Sequence, residues 1–283
     1  MAQTKLESKS EAPKQKRIQL SVWQSIISGS IAGAAEVGIN HPLWAVKTLL
    51  QKGEPITLNP SILYRGIIPN ATSMIPITAL QVGFNRFFQQ WLFRDQEQLP
   101  PSRKIIAAFA AGVASSLVSC PTEMIMTHQR KGFYTSAKQL VAHGGWQHLY
   151  TGLLATMLRE GMFTTFFLGV TPVFKEKIHQ RYPYDFASSL FAGILAGIGA
   201  TFASQWADML KTLQQSAESG KSMGLASTMR QLYSSKGVSG FFAGAIPRGT
   251  RVISAVTIMS WITEEMQRLL TRSEDNSGPS MKC

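Results

Sequence analysis

The chain has 283 residues, 45% of them hydrophobic and 16% charged, with a mean hydropathy of +0.02. It has no run of eighteen purely apolar residues, which argues against a simple lipid-facing helix bundle, and its two cysteines, Cys120 and Cys283, form neither a CxxC nor a disulfide framework. Lys and Arg outnumber Asp and Glu by 28 to 16, and the net charge of +12 requires an anionic partner: nucleic acid, anionic lipid or an anionic solute.

Residues 1–20 mix Lys with Glu around no apolar centre, so they read as neither a secretory signal nor, given Glu7 and Glu11, a transit peptide. Six helical segments follow, at about 22–51, 69–93, 103–131, 153–181, 185–216 and 247–270, with Pro42, Pro121 and Pro172 inside the first, third and fourth. The connector at 52–63 is short and interrupted by Pro55 and Pro60, whereas its counterparts carry helical patterns at 136–143 and 223–234. The first connector is therefore expected to lack a surface helix that the others keep. All three connectors fall on one side and carry Lys52, Arg65, Lys131, Lys138, Lys221, Arg230 and Lys236, which marks the matrix or cytoplasmic side. Residues 273–283 form a polar tail.

The helices repeat a pattern. Gly29 and Gly33 precede Pro42 and Lys47; Gly112 precedes Pro121 and Glu123; Gly193 and Gly197 precede Trp206, Asp208 and Lys211. Glycines four apart let a second helix backbone approach closely. Downstream stand Tyr64-Arg65-Gly66, Tyr150-Thr151-Gly152 and Phe242-Ala243-Gly244, and seven residues past each glycine come Ser73, Arg159 and Arg251. Fixed offsets with variable loops between them indicate three tandem repeats, at 21–98, 99–182 and 183–272.

Pro42-Leu43-Trp44-Ala45-Val46-Lys47, Pro121-Thr122-Glu123-Met124-Ile125-Met126 and Trp206-Ala207-Asp208-Met209-Leu210-Lys211 resemble, in register with their glycines, the Pro-x-acid-x-x-base motif of the mitochondrial carrier family. The resemblance implies an all-α membrane protein, six transmembrane helices in three two-helix repeats with threefold pseudosymmetry, that acts as a monomeric transporter and not an enzyme. It also implies a matrix gate in which each acid bridges the next repeat's base. Glu123 would pair with Lys211 and Asp208 with Lys47, while Trp44 and Met126 would replace the third bridge by an apolar contact. The family's cytosolic gate falls on Arg86/Gln89, Pro172/Lys175 and Glu264/Gln267. Only Lys175 and Glu264 keep the expected sign, and they face Arg86 and Gln89 as partners, so the usual ring cannot form and a leakier or more one-directional carrier is expected.

The family's three solute contact points fall on Ser73/Met74, Arg159/Glu160 and Arg251/Val252. Seven residues of helix past each glycine reach ~10 Å into the membrane, where charges are costly and usually functional. The arginines suit carboxylate or phosphate, Glu160 an amine. A buried ion pair of Arg159 with Glu160 or a neighbour, serving only packing, is the bland alternative, set lower because adjacent helical residues do not face each other. Glu36, six before Pro42, either faces the cavity or bridges to a neighbouring helix, and Arg248 either assists Arg251 or is a solvated helix-end charge. Tyr64, Arg65 and Gly66 suit an anionic lipid headgroup such as cardiolipin.

The five histidines form no metal-binding pattern, no nucleophile motif or cofactor-binding pattern is present, and Gly220-Lys221-Ser222 lacks the strand and first glycine of a phosphate loop. The basic excess carries no nucleic-acid motif. The sequence thus reads as a carrier of a small anionic or zwitterionic metabolite, amino-acid-like or nucleoside-containing, in the mitochondrial inner membrane. An ATP/ADP carrier is the alternative solute reading and a non-transporting membrane scaffold the alternative class. Eroded motifs and the polar tail also fit a carrier acquired and secreted by a bacterium and acting in a host cell.

Overall fold

The computed structural model describes residues 21–52, 59–64, 67–92, 99–127, 133–181, 185–216 and 224–276, and for part of these, 43–52 included, only the backbone. Among the described residues there is no strand. The helices are α1 (Val22–Lys52), α2 (Pro60–Leu63), α3 (Ile67–Leu92), α4 (Pro101–Thr127), α5 (Phe133–His148), α6 (Leu153–Thr164), α7 (Thr171–Arg181), α8 (Asp185–Ser216), α9 (Leu225–Lys236) and α10 (Ala245–Asn276). A one-turn helix, α2, therefore stands in the first connector, which the sequence reading left without one; it is too short to show a hydrophobic period. The long helices touch in ring order, α1 on α3, α3 on α4, α4 on α6, α6 and α7 on α8, α8 on α10, and α10 back on α1.

Between α6 and α7 the chain runs through a π-helical segment, Thr165–Val170. It lies just before Pro172, whose ring in a regular helix would strike the carbonyl four residues back. The widened turn relieves that clash, and the Thr171 hydroxyl donates to the Phe166 carbonyl at 2.7 Å. The repeated landmark glycines also have a physical reason. Gly152 and Gly244 adopt φ of 78° and 75°, a left-handed turn that lets the chain start α6 and α10. Their carbonyls then accept the first helical bonds, from the Thr156 and Arg248 amides at 2.9 and 3.2 Å.

The cross-section is inverted relative to a water-soluble bundle. Buried positions are rich in small and hydroxyl residues, including Ser28, Ser115, Ser116, Thr156, Thr164, Ser188 and Ser204. Several hydroxyls bond to their own helix four residues back, as Ser204 does to Ala200 at 2.6 Å and Thr201 to Gly197 at 2.8 Å. Large apolar side chains point outward instead, among them Trp23, Phe186, Phe191, Phe202 and Trp261. A central apolar cluster joins Ala32, Val82, Phe167, Ala196, Val256 and Met259 from α1, α3, the π segment, α8 and α10. Among the described residues three helical stretches, Pro101–Met126, Leu153–Arg181 and Phe186–Gln215, are long and apolar enough to cross a membrane. The other three long helices, α1, α3 and α10, have 31, 26 and 32 residues, against the ~20 residues that a ~30 Å hydrocarbon core demands.

The repeated glycines sit where neighbouring backbones come closest. A Cβ at Gly112 would lie 2.7 Å from the Gly161 Cα, one at Gly193 2.7 Å from the Thr257 Cα, and one at Gly197 2.6 Å from the Ile253 Cα. At Gly29 and Gly33 it would meet Thr78 of α3 at 2.9 and 3.0 Å. Gly38, by contrast, has open space around it. Gly112→Ala is therefore expected to push α4 from α6 and destabilise the fold by about 1–3 kcal/mol, as overpacking does. Gly38→Ala should be neutral or stabilising by up to ~1 kcal/mol through helix propensity. Unfolding midpoints of the two variants in detergent check this, and equal midpoints would contradict the close approach.

Candidate functional site

At the end of the ring where α4 and α8 carry their acid and base residues, six charged side chains form one connected network. Glu123 of α4 accepts from the Arg159 Nη2 at 2.7 Å through both carboxylate oxygens, and it also binds Lys211 of α8. Arg159 of α6 further binds its neighbour Glu160 and, through Nη1, the Asp208 carboxylate of α8 at 3.5 Å. Asp208 in turn accepts from Arg248 of α10 at 3.1 Å. Arg248 is held by the Ser204 hydroxyl at 2.9 Å and the Gln205 amide oxygen at 3.1 Å, and Glu160 accepts from Gln81 of α3 at 2.8 Å. The three carboxylates, Glu123, Glu160 and Asp208, balance the three cations, Arg159, Lys211 and Arg248. This neutrality is what makes the burial tolerable, since an unpaired charge here would cost several kcal/mol.

Of the expected matrix-side pairs, Glu123 and Lys211 meet. The Trp44 and Lys47 side chains lie outside the described residues, and Met126 is half-buried at the end of α4. Asp208, expected to face Lys47, meets Arg248 and Arg159. Arg159 and Glu160 meet although they are adjacent on the helix. An arginine stem is long enough to turn its guanidinium back beside the next side chain, and the two are bonded. Arg248, weighed as a solvated helix-end charge, is largely buried, its side chain only 16% exposed. Its spacing three before Arg251 was the available signal, because residues three apart share a helix face.

Arg251 stands on α10 between Arg248 and Ser254, both of which reach neighbouring helices of the ring. It is half-buried, and among the described residues no carboxylate lies within ion-pairing distance of it. Glu36 of α1 is buried and accepts from Asn40 at 3.0 Å, and Asn40 accepts from the Ser254 hydroxyl at 2.6 Å. This line joins the first long helix to the last. Val252 packs into the central apolar cluster, Met74 is half-buried, and the Ser73 side chain lies outside the described residues.

At the opposite end Lys175 of α7 binds Glu264 of α10, which also accepts from Ser189 of α8 at 2.8 Å. The two residues that the motif register assigned to separate partners thus pair with each other. Arg86 is half-buried, Gln89 donates to Asn85 at 3.4 Å and Gln267 is exposed. Tyr64 is exposed with its ring against His41, centroids 6.1 Å apart, and Arg65 and Gly66 lie outside the described residues. Two apolar clefts lie away from these charges, one of about 320 Å³ between α4 and the α6–π region, the other between α1 and α3.

The comparisons with known proteins bear on what this arrangement serves. The family model described as "Mitochondrial carrier protein" matches residues 18–61, 97–182 and 182–274. The chain is 29% identical to "Mitochondrial substrate carrier family protein Z" of Dictyostelium discoideum, over 86% of this chain and 91% of that protein. It is 26% identical to the human "Tricarboxylate transport protein, mitochondrial", over 88% and 90% of the two chains. It is 29% identical to the "Mitochondrial citrate transporter B" of Aspergillus niger, over 88% and 94%. Three successive stretches of one chain thus match one family, and the chain belongs to the mitochondrial carrier family.

Proposed function

We propose that the protein carries a small carboxylate-bearing metabolite across the mitochondrial inner membrane by alternating access, as a six-helix monomer built from three two-helix repeats, with Arg251 as its main anion ligand. The observation that carries this is the half-buried Arg251 guanidinium, which no carboxylate of the described residues neutralises. A charge kept unpaired inside an apolar-faced ring is costly, and an anionic solute removes that cost. The relatives named for tricarboxylate and citrate transport support the carboxylate class. A scaffold would have no use for such a residue.

Two closures flank it. Arg251 and Glu264 are thirteen residues apart on one helix, about 20 Å at 1.5 Å per residue. The six-group network closes one end and the Lys175–Glu264 pair the other. Arg159 belongs to both the network and the solute face, and its buried Nε has no acceptor among the described residues. An incoming carboxylate supplies one and competes with Glu123 and Asp208, which loosens that end. Met74, Glu160 and the backbone around Ser73 complete the cavity wall in this scheme, with Trp44, Lys47 and Met126 below it. The Tyr64-Arg65-Gly66 motif binds an anionic lipid headgroup in this scheme, and the chemistry throughout is binding and release.

Uptake of labelled citrate, dicarboxylates and amino acids into liposomes tests the reading. Arg251→Gln should raise the KM for the transported solute by about 10- to 150-fold, the equivalent of ~1.5–3 kcal/mol for a charge-assisted hydrogen bond. An unchanged KM removes Arg251 from the site. At the other end, Lys175→Glu and Glu264→Lys should each slow exchange, and the double reversal should restore it. Failure of the double variant to recover above either single one counts against that pair as a gate.

A further inference from the structure

Glu36 is only 6% exposed, and among the described residues no Lys, Arg or His comes within ion-pairing distance of it. It bonds the Asn40 amide at 3.0 Å, and Asn40 bonds Ser254 at 2.6 Å. Ser254 lies three residues, ~4.5 Å along the helix, past Arg251. One bonded line therefore runs from a buried carboxylate on α1 to the face of α10 that bears the unneutralised guanidinium. The charged network and the Lys175–Glu264 pair are each neutral within themselves, so neither compensates Glu36 or Arg251.

A bracing role for Glu36 between α1 and α10 does not explain its charge. Asn40 donates through its Nδ2, and the amide oxygen of a glutamine would accept that bond equally well. Keeping a carboxylate at this depth is worth its desolvation cost only if a cation comes to it. Arg251 binds an anion, and an acid and a base linked through this bonded line are complementary to a solute with both signs. A pure tricarboxylate does the reverse, adding negative charge beside Glu36 where the effective dielectric is low.

We infer that Glu36, held by Asn40, is an amine subsite, and that the solute carries a cationic amino group together with the carboxylate that Arg251 binds. This rests on the carboxylate reading above and narrows it: the chain takes amino-acid-like zwitterions in preference to the tricarboxylates for which its relatives are named.

Glutamate and 2-oxoglutarate form a matched pair, differing in an ammonium group against a keto group. Competing uptake of these two and citrate into liposomes isolates the amine. The wild-type protein is expected to favour glutamate over 2-oxoglutarate by tenfold or more. Glu36→Gln, which keeps the bond to Asn40, should cut that ratio at least tenfold. Glu36→Asp, which keeps the charge, should retain most of the ratio. A wild type that prefers citrate or 2-oxoglutarate overturns the amine subsite and leaves carboxylate transport standing. So does a ratio that Glu36→Gln leaves unchanged, or one that Glu36→Asp abolishes as fully. No uptake of any of the three, beside an active control carrier, overturns both.

Discussion

Three carboxylates converge on one guanidinium. Glu123, Glu160 and Asp208 come from α4, α6 and α8, and Arg159 meets all three within 3.5 Å. Such a cluster would carry a large excess of buried negative charge, and Lys211 and Arg248 remove it from the flanks. Each of the six groups is tolerable only while the others are in place, because a buried charge stripped of its partner costs far more than the intact pair contributes. That interdependence ties the ends of four helices, α4, α6, α8 and α10, into one electrostatic unit.

The rest of the ring is arranged so that this unit can exist. Glycine contacts bring α4 against α6 and α8 against α10 closely enough for side chains on different helices to share partners. Hydroxyl residues are frequent in the interior, and several turn back on their own backbones, as Thr201 and Ser204 do, while others such as Ser189 and Ser254 bond across helices. Many large apolar side chains go to the outside, where lipid solvates them, around the central apolar cluster of α1, α3, the π segment, α8 and α10. At the far end, the π segment before Pro172 leads into α7, whose Lys175 closes against Glu264 of α10. Along α10, between Arg248 of the network and Glu264 of that pair, lie Arg251 and Ser254, the latter bonded to Asn40 of α1.

What the sequence made legible was whatever is fixed by local spacing. The three sets of glycines and charges, two of them with a proline, gave the long helices, most to within four residues while the last runs six past its expected end, and Glu123 with Lys211 followed from their register. The contacts missed were those that spacing cannot reveal. Whether Arg159 bonds Glu123 or Glu160 depends on where a long flexible stem swings, and it bonds both. Arg248 reads as a helix-end charge until α8 brings Asp208 beside it. Lys175 and Glu264 were assigned apart because the motif register says nothing of how far α7 and α10 lean together. The widened turn before Pro172 and the one-turn α2 lie below the length at which a hydrophobic period can be counted.

If the six-group network closes one end of the ring, it shields the stretch of α10 between Arg248 and Glu264 from that side, and thiol accessibility there is the measurement to make. Ser254→Cys, in a background with Cys120→Ser and Cys283→Ser, places a thiol there for a charged, membrane-impermeant reagent. The thiol should react slowly while the network is intact. Adding Glu123→Gln, which strips Arg159 and Lys211 of their shared partner, should speed the reaction on the order of tenfold or more, given the several kcal/mol that breaking a buried pair costs. Equal rates in the two proteins would mean that the network closes nothing.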